Sequence, residues 1–303
     1  MNYRWGIDLG GTKIECAVLD AANQWAVIAR KRIPTEADKG YKHILSQIVK
    51  LVGLVTDETG LKPDRIGFAT PGVLDPKTQT MKNCNTVCMN GNPMKQDLAE
   101  ALGVPVELAN DANCFALAEA LMGAAPAVCP EAEVVFGVIL GTGVGGGVVT
   151  HGKVIGGRQG IGGEWGHNIL IEGWDTCYCG KSGCVEQVIA GPALQKYYER
   201  LSGQKKNLAE IVTNYHAGND PHATATIELL LEQFGKAISV VINILDPNVI
   251  VLGGGVSNID LLYTEGVERA KKYVFNPHPD LLIVKNKLGD SAGVFGAALL
   301  FNE

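Results

Sequence analysis

Two glycine-rich turns constrain this 303-residue chain more than any other feature. The first, Asp8-Leu9-Gly10-Gly11-Thr12-Lys13, follows the apolar run Ile7–Leu9 and leads into Ile14–Leu19, which alternates with period two. The second, Leu140-Gly141-Thr142-Gly143-Val144-Gly145-Gly146-Gly147, follows Val134–Leu140 and leads into Val148-Val149. A glycine hairpin tip presents backbone N–H groups with no side chain in the way, and so can hold phosphate oxygens. Two of them in one chain suggest a duplicated fold that clamps a nucleotide from both sides. A third glycine turn, Gly253-Gly254-Gly255, follows the buried-type run Asn248–Leu252.

Commoner phosphate loops do not fit. A dinucleotide-binding turn needs a helix after its glycines, whereas Val148 and Val149 continue as a strand. The Walker spacing is absent. Between the turns the chain alternates strands with helical spacing. Ile44, Ile48, Leu51 and Val55 predict a helix over 41–55, and a strand over 65–69 ends in Thr70-Pro71-Gly72. A strand over 104–109 runs into Asn110-Asp111-Ala112-Asn113, where a helix begins and continues to about Met122. A second cycle starts at Val134. It has helices over 207–217 and 223–244, one from Asp260, a last strand over 281–285 and a small-residue helix over 291–301. The class is α/β, with the hinge near Asp111.

The formal charge of −6 argues against a general nucleic-acid or acidic-membrane binder. No run of about 18 apolar residues exists and no leader pattern is present, so a cytoplasmic protein is expected. Eight cysteines in a chain this long are not a secreted disulfide framework. Cys177, Cys179 and Cys184 lie within eight residues, and with His167 they have the spacing H-x9-C-x-C-x4-C. Three thiolates and an imidazole make a closed tetrahedral shell for a structural Zn²⁺; buried free cysteines are the alternative. The remaining cysteines read as small buried residues.

The two turns, Leu108–Asn113, Gly163-Glu164-Trp165-Gly166-His167, Cys177–Glu186 and Leu252–Gly255 together resemble the ROK family (repressors, open reading frames and sugar kinases) in order over nearly the whole chain. The resemblance implies a duplicated actin-like ATPase (ribonuclease H-like) fold with two domains around a cleft that holds ATP. The smaller domain is expected over 1–110 plus about 290–303, and the larger, with the zinc loop, over 111–289. It also implies hexose phosphorylation, structural zinc and a homodimer. Residues 163–168 look most like fructokinase and mannokinase-type members.

Phosphoryl transfer to an alcohol needs the triphosphate held, its charge neutralised, and the hydroxyl aligned and deprotonated. Gly10, Gly11, Thr12, Lys13, Gly141, Thr142, Gly143, Gly253, Gly254 and Gly255 are the candidates for ATP. Asp8, just before the first turn, is the candidate to orient Mg²⁺ through water, with turn capping as the alternative. Asp111 reads from the sequence as a helix N-cap or a general base; the family motif favours the base. Asn110, Glu164, His167 and Glu186 match family positions that contact the hexose. Asn83 and Asn85 are further substrate candidates, with turn chemistry as the alternative. His167 is expected to ligate zinc through one ring nitrogen and face a sugar hydroxyl with the other.

The expected activity is therefore ATP-dependent phosphorylation of the 6-hydroxyl of fructose or mannose. N-acetylglucosamine or glucose kinase is the alternative within the family. A sugar-responsive repressor is the non-enzyme alternative. It is disfavoured because the first strand begins by Tyr3, with no room for a DNA-binding module, and because the chain is acidic.

Overall fold

A computed structural model describes residues 2–301. In chain order the elements are β1 (Tyr3–Leu9), β2 (Lys13–Asp20), β3 (Ala26–Pro34), α1 (Tyr41–Thr59), β4 (Ile66–Thr70), β5 (Val73–Leu74), β6 (Met81–Lys82), α2 (Met94–Leu102), β7 (Val106–Asn110), α3 (Asp111–Leu121) and α4 (Ala125–Val128). They continue as β8 (Val134–Leu140), β9 (Val144–Thr150), β10 (Lys153–Val154), α5 (Val185–Ile189), α6 (Gly191–Ser202), α7 (Leu208–Ala217), α8 (Pro221–Leu245), β11 (Val249–Gly253), α9 (Glu265–Lys271), β12 (Ile283–Lys285) and α10 (Ala292–Ala298). Residue contacts divide the chain into two units, one of Met1–Gly123, Gly147–Gly163 and Asp290–Glu303, the other of Ala124–Gly146 and Glu164–Gly289. Asp111 lies inside the first unit.

The first unit is built on a sheet of order β3-β2-β1-β4-β7. β1, β2 and β3 pair antiparallel, and β1, β4 and β7 pair parallel. The period-two alternation sorts the side chains of β1 and β2. Trp5, Ile7, Leu9, Ile14, Cys16 and Val18 join Ile44, Ile48, Leu51 and Val55 of α1 in one buried core. On the opposite face the sheet carries Gly6 and Gly67, and the backbone of α10 fills the space where side chains would stand. A Cβ on Gly67 would lie 1.8 Å from the carbonyl oxygen of Ala297. α10 in turn meets α3 at Gly296, where a Cβ would lie 1.7 Å from the carbonyl oxygen of Cys114. These contacts seat α3 against α10, which itself packs on β1 and β4.

In the second unit β8, β11 and β12 pair parallel, and α8 packs with α5, α6, α7 and α9. Asp220 starts α8 by accepting from the N–H groups of His222 and Ala223, with Pro221 at the first helical position. The second large sheet has the order β10-β9-β8-β11-β12. Each sheet thus runs third, second, first, fourth, fifth strand, the duplication that the paired hairpins imply.

Some expectations change. A third strand, which the sequence places near Trp25 to Arg32, starts only at Ala26, because Gln24 and Trp25 have φ of 49° and 62°. The helix expected from Asp260 is a 3-10 turn over Asp260–Tyr263; Thr264 leaves helical geometry, and α9 starts at Glu265. α10 ends at Ala298 rather than at Phe301. Cys88 is exposed and Cys129 half-buried, so not all the remaining cysteines are core residues. No helix among the described residues is long and apolar enough to cross a membrane.

Candidate functional site

In the first unit the tip of the β1–β2 hairpin is tied off by its own backbone and by the end of β3. The Gly10 N–H donates to the Lys13 carbonyl at 3.0 Å, and the Thr35 N–H donates to Thr12 at 3.0 Å. The Thr35 hydroxyl donates to the Gly10 carbonyl at 2.6 Å. Gly11, Thr12 and Lys13 are left exposed. Asp8, next to the tip, is half-buried, and its carboxyl is pushed up to about 6. Burial is the main cause, followed by the carboxylates of Asp111 and Glu15; Lys13 and Arg32 oppose the shift. α10 approaches this carboxylate through a glycine: a Cβ on Gly293 would lie 2.8 Å from Asp8 Oδ2.

Asn110, not Asp111, caps α3. Its Oδ1 accepts from the Asn113 N–H at 2.8 Å. Asp111 occupies the first helical position, and its Oδ1 accepts from the Ala112 N–H at 2.8 Å. Its side chain reaches solvent, yet the protein around it withholds enough water to raise its carboxyl above the usual carboxylate range. Asp8 and Asp111 are thus two neighbouring carboxylates with raised proton affinity, and a cation or a hydroxyl donor placed there would relieve both.

Asn83 stands in the left-handed region at φ 57° and Asn85 donates its N–H to Pro71 at 3.3 Å; both side chains are exposed. Their loop is closed by Asn90. Asn90 accepts from the Cys84 N–H at 2.9 Å and donates back to the Cys84 carbonyl at 3.2 Å.

In the second unit Gly141 donates to the Gly143 carbonyl at 2.9 Å and accepts from the Gly191 N–H at 2.9 Å. Gly254, at φ 83°, allows the third glycine turn to press on β8; a Cβ there would lie 2.3 Å from the Leu140 carbonyl. Glu186 is tied to the second hairpin. Its Oε2 accepts from the Val144 N–H at 3.1 Å and sits where a Cβ on Gly143 would come within 2.5 Å. Trp165 is buried, donates to the Gly145 carbonyl at 3.3 Å, and so carries the 3-10 turn Trp165–His167 against the same hairpin.

His167 joins the two parts of this site. Its Nδ1 lies 3.5 Å from Cys177 Sγ, and Cys179 and Cys184 sulfurs are 3.6 Å apart. All four candidate ligand atoms fall within 4.8 Å of one another. Zn–S bonds of ~2.3 Å in a tetrahedron place sulfurs roughly 3.8 Å apart, so the donor set and its spacing suit Zn²⁺. Gly183, at φ 80°, makes the loop possible, since a Cβ there would lie 1.7 Å from the Ile171 carbonyl. The other nitrogen, Nε2, meets the Tyr178 hydroxyl at 2.9 Å, with the rings edge to face. Desolvation and then the carboxylates of Glu186 and Glu164 push the Tyr178 hydroxyl up to about 12. Glu164, His167, Tyr178 and Glu186 therefore gather at one place. Tyr178 is the member that sequence reasoning missed as a site residue, and its position between two candidate ligand cysteines was the available signal.

A model of the ROK family matches residues 4–303. The chain belongs to the ROK family. This ROK protein is 36% identical over 306 residues to an N-acetyl-D-glucosamine kinase of Vibrio atlanticus (strain LGP32), covering 98% of each chain. It is 37% identical over 309 residues to the enzyme of that name from Pasteurella multocida (strain Pm70), covering 98% and 99%. Among solved structures it is similar to a ROK hexokinase from Thermus thermophilus, with a TM-score of 0.87, 32% identity and coverage of 98% and 97%. It is also similar to a ROK glucokinase from Streptomyces griseus in complex with glucose and AMPPNP, at TM-score 0.75, 25% identity and 98% of each chain. The actin-like ATPase fold and the activity of an ATP-dependent sugar kinase follow. These relatives carry the N-acetylglucosamine alternative rather than the fructose or mannose reading of residues 163–168.

Proposed function

We propose that this ROK kinase transfers the terminal phosphoryl group of ATP to the 6-hydroxyl of N-acetylglucosamine. The observation that carries the sugar is the identity of 36–37% over nearly the full length to N-acetyl-D-glucosamine kinases. In this reading Asp111 accepts the O6 proton as O6 attacks the γ-phosphorus and the bond to the ADP oxygen breaks. Its freedom from the helix cap supports that role, as does its raised carboxyl, which holds a transferred proton more readily than an ordinary aspartate. Asp8 holds hydrated Mg²⁺, which screens the phosphate charge. Gly10, Gly11, Thr12, Lys13, Gly141, Thr142, Gly143 and Gly253–Gly255 hold the nucleotide.

The sugar hydroxyls meet Asn83, Asn85, Asn110, Glu164, His167 and Glu186, with a sugar hydroxyl replacing the Tyr178 hydroxyl at His167 Nε2. His167, Cys177, Cys179 and Cys184 hold structural Zn²⁺, which fixes the His167 ring for that contact. The protein works as a homodimer in the cytoplasm. Exposed Phe275, Ile244 and Val240 support self-association; the Asn243 side chain binds the Tyr273 carbonyl and the Phe275 N–H and so holds this apolar group together. Light scattering on the purified chain reads its mass.

A coupled ADP-release assay with MgATP over N-acetylglucosamine, N-acetylmannosamine, glucose, mannose and fructose tests the substrate. The highest kcat/KM is expected with N-acetylglucosamine. A higher value with fructose or mannose would overturn the proposal.

A further inference from the structure

The sheet of the first unit carries a row of charge of which the site as described uses only Asp8 and Lys13. Asp8 of β1 is the direct partner of Glu15 on β2, and Glu15 is the direct partner of Arg32 on β3. Direct partners share a face, so the three side chains stand in one line across adjacent strands. Lys13, two residues before Glu15, lies on the same face.

Glu15 is the unusual member. Its side chain is 4% exposed, on a strand next to the sheet edge, and both carboxylate oxygens are taken by guanidinia. Arg30 Nε pairs with Oε1, and Arg32 Nε lies 2.7 Å from Oε2. One guanidinium neutralises one carboxylate; the cluster therefore carries a net positive charge. Because Arg32 is held through Nε, its two terminal nitrogens are left for another acceptor, and over a third of its side chain is accessible. Charged residues on an edge strand commonly do no more than block edge-to-edge pairing, but that task needs no buried carboxylate.

Position separates the two arginines. Arg32 is in register with Asp8 through Glu15, and the strand beyond it is fastened to the hairpin tip by Thr35, which bonds both Gly10 and Thr12. Arg30 pairs with Ala17, one step further from the tip. Lys13 and Arg32 are also the two cations that favour the charged form of Asp8, which puts both within electrostatic reach of the site.

We propose that Arg32 is a ligand for the β- and γ-phosphates of ATP, and that Glu15 is the positioning residue that aims it. The guanidinium fork suits phosphate oxygens geometrically, and with Lys13 it supplies a second positive charge beside the hairpin. The inference rests on ATP binding at the 10–13 hairpin, but not on which sugar is phosphorylated.

The test is calorimetric titration of MgATP and AMP into wild type, Arg32→Gln, Glu15→Gln and Arg30→Gln, with melting temperatures taken on each. AMP lacks the β- and γ-phosphates, so the ratio of the two affinities reports contacts to those groups and is insensitive to general damage. Arg32→Gln should weaken MgATP about tenfold or more while AMP stays within about twofold, as the loss of one charge-assisted contact implies. Glu15→Gln should move the ratio the same way by a smaller factor. Arg30→Gln, which also strips a guanidinium from Glu15, should leave it unchanged. In steady state the loss in Arg32→Gln should appear in the KM for MgATP and not in that for the sugar. The proposal is overturned if MgATP and AMP weaken in parallel, if neither changes, or if Arg30→Gln matches Arg32→Gln. Failure of wild type to bind MgATP would instead remove the nucleotide reading on which it rests.

Discussion

Asn110 accepts the Asn113 N–H at 2.8 Å and so performs the capping of α3 that would otherwise fall to Asp111. The two adjacent residues divide two tasks that a single aspartate at a helix start cannot perform together. A carboxylate engaged as a cap is a poor proton acceptor; one relieved of capping and short of water is a better one.

Replacing Asp111 should therefore stop chemistry without unfolding the protein. Asp111→Asn is expected to lower kcat by about 10²–10⁴-fold, the range of a lost general base. The melting temperature and sugar affinity should stay close to wild type, because the Asn110 cap remains. Steady-state kinetics with calorimetric sugar titration checks this; turnover within a few-fold of wild type would remove Asp111 from the mechanism.

Asp8 makes activity and stability depend on pH in opposite senses. Its carboxyl, raised from 3.8 to about 6, binds a proton more tightly folded than unfolded. Stability from this group is therefore greatest below about pH 4 and is lost as pH rises through 6. Asp8→Asn should be more stable than wild type at pH 7.5 without Mg²⁺ or nucleotide, by on the order of 1–3 kcal/mol, and no more stable at pH 4. Activity should move the other way, falling as wild type is acidified below about 6. Denaturant titrations at the two pH values, beside a kcat/KM profile, read both slopes.

Zinc should support the sugar site as well as the fold. Elemental analysis should find one Zn²⁺ per chain. Its removal by a chelator should lower the melting temperature and weaken sugar binding together, because His167 presents Nδ1 to the sulfurs and Nε2 to the site. Metal-free protein with unchanged sugar affinity would refute the coupling. Tyr178→Phe, which keeps the ring and removes the hydroxyl from Nε2, should leave zinc content unchanged.

The glycine face of the first sheet should tolerate no side chain. Gly67→Ala places a Cβ 1.8 Å from the Ala297 carbonyl, against backbone that has no rotamer to yield. A loss of about 1–3 kcal/mol or more is expected from equilibrium unfolding. A neutral substitution would mean that α10 can shift away from β4.

Much of this was legible in the chain because it is local. Gly10–Lys13 and Gly141–Gly147 announce their hairpins through composition and the flanking period of two. Cys177, Cys179 and Cys184 announce through spacing alone the thiol cluster that gathers with His167, and the repeated strand–turn–strand announces the duplication. The sugar was harder to read: residues 163–168 pointed to fructose or mannose, whereas the full-length relatives support N-acetylglucosamine. Six residues sample too little of a pocket to decide among hexoses.

What the sequence by itself determined, then, is which backbone can turn, which residues can ligate a metal and which faces are apolar, since each follows from neighbours a few positions apart. The tertiary structure alone decided that Asn110 and not Asp111 caps α3, that Tyr178 meets His167, that Glu186 holds the Val144 N–H, and that Asp8, Glu15 and Arg32 stand in one row. The physical reason is the same in each case. These relationships depend on strand register, on the conformation of a loop or on the approach of distant backbone, and they are selected by the packing of the whole unit rather than by any short stretch of it.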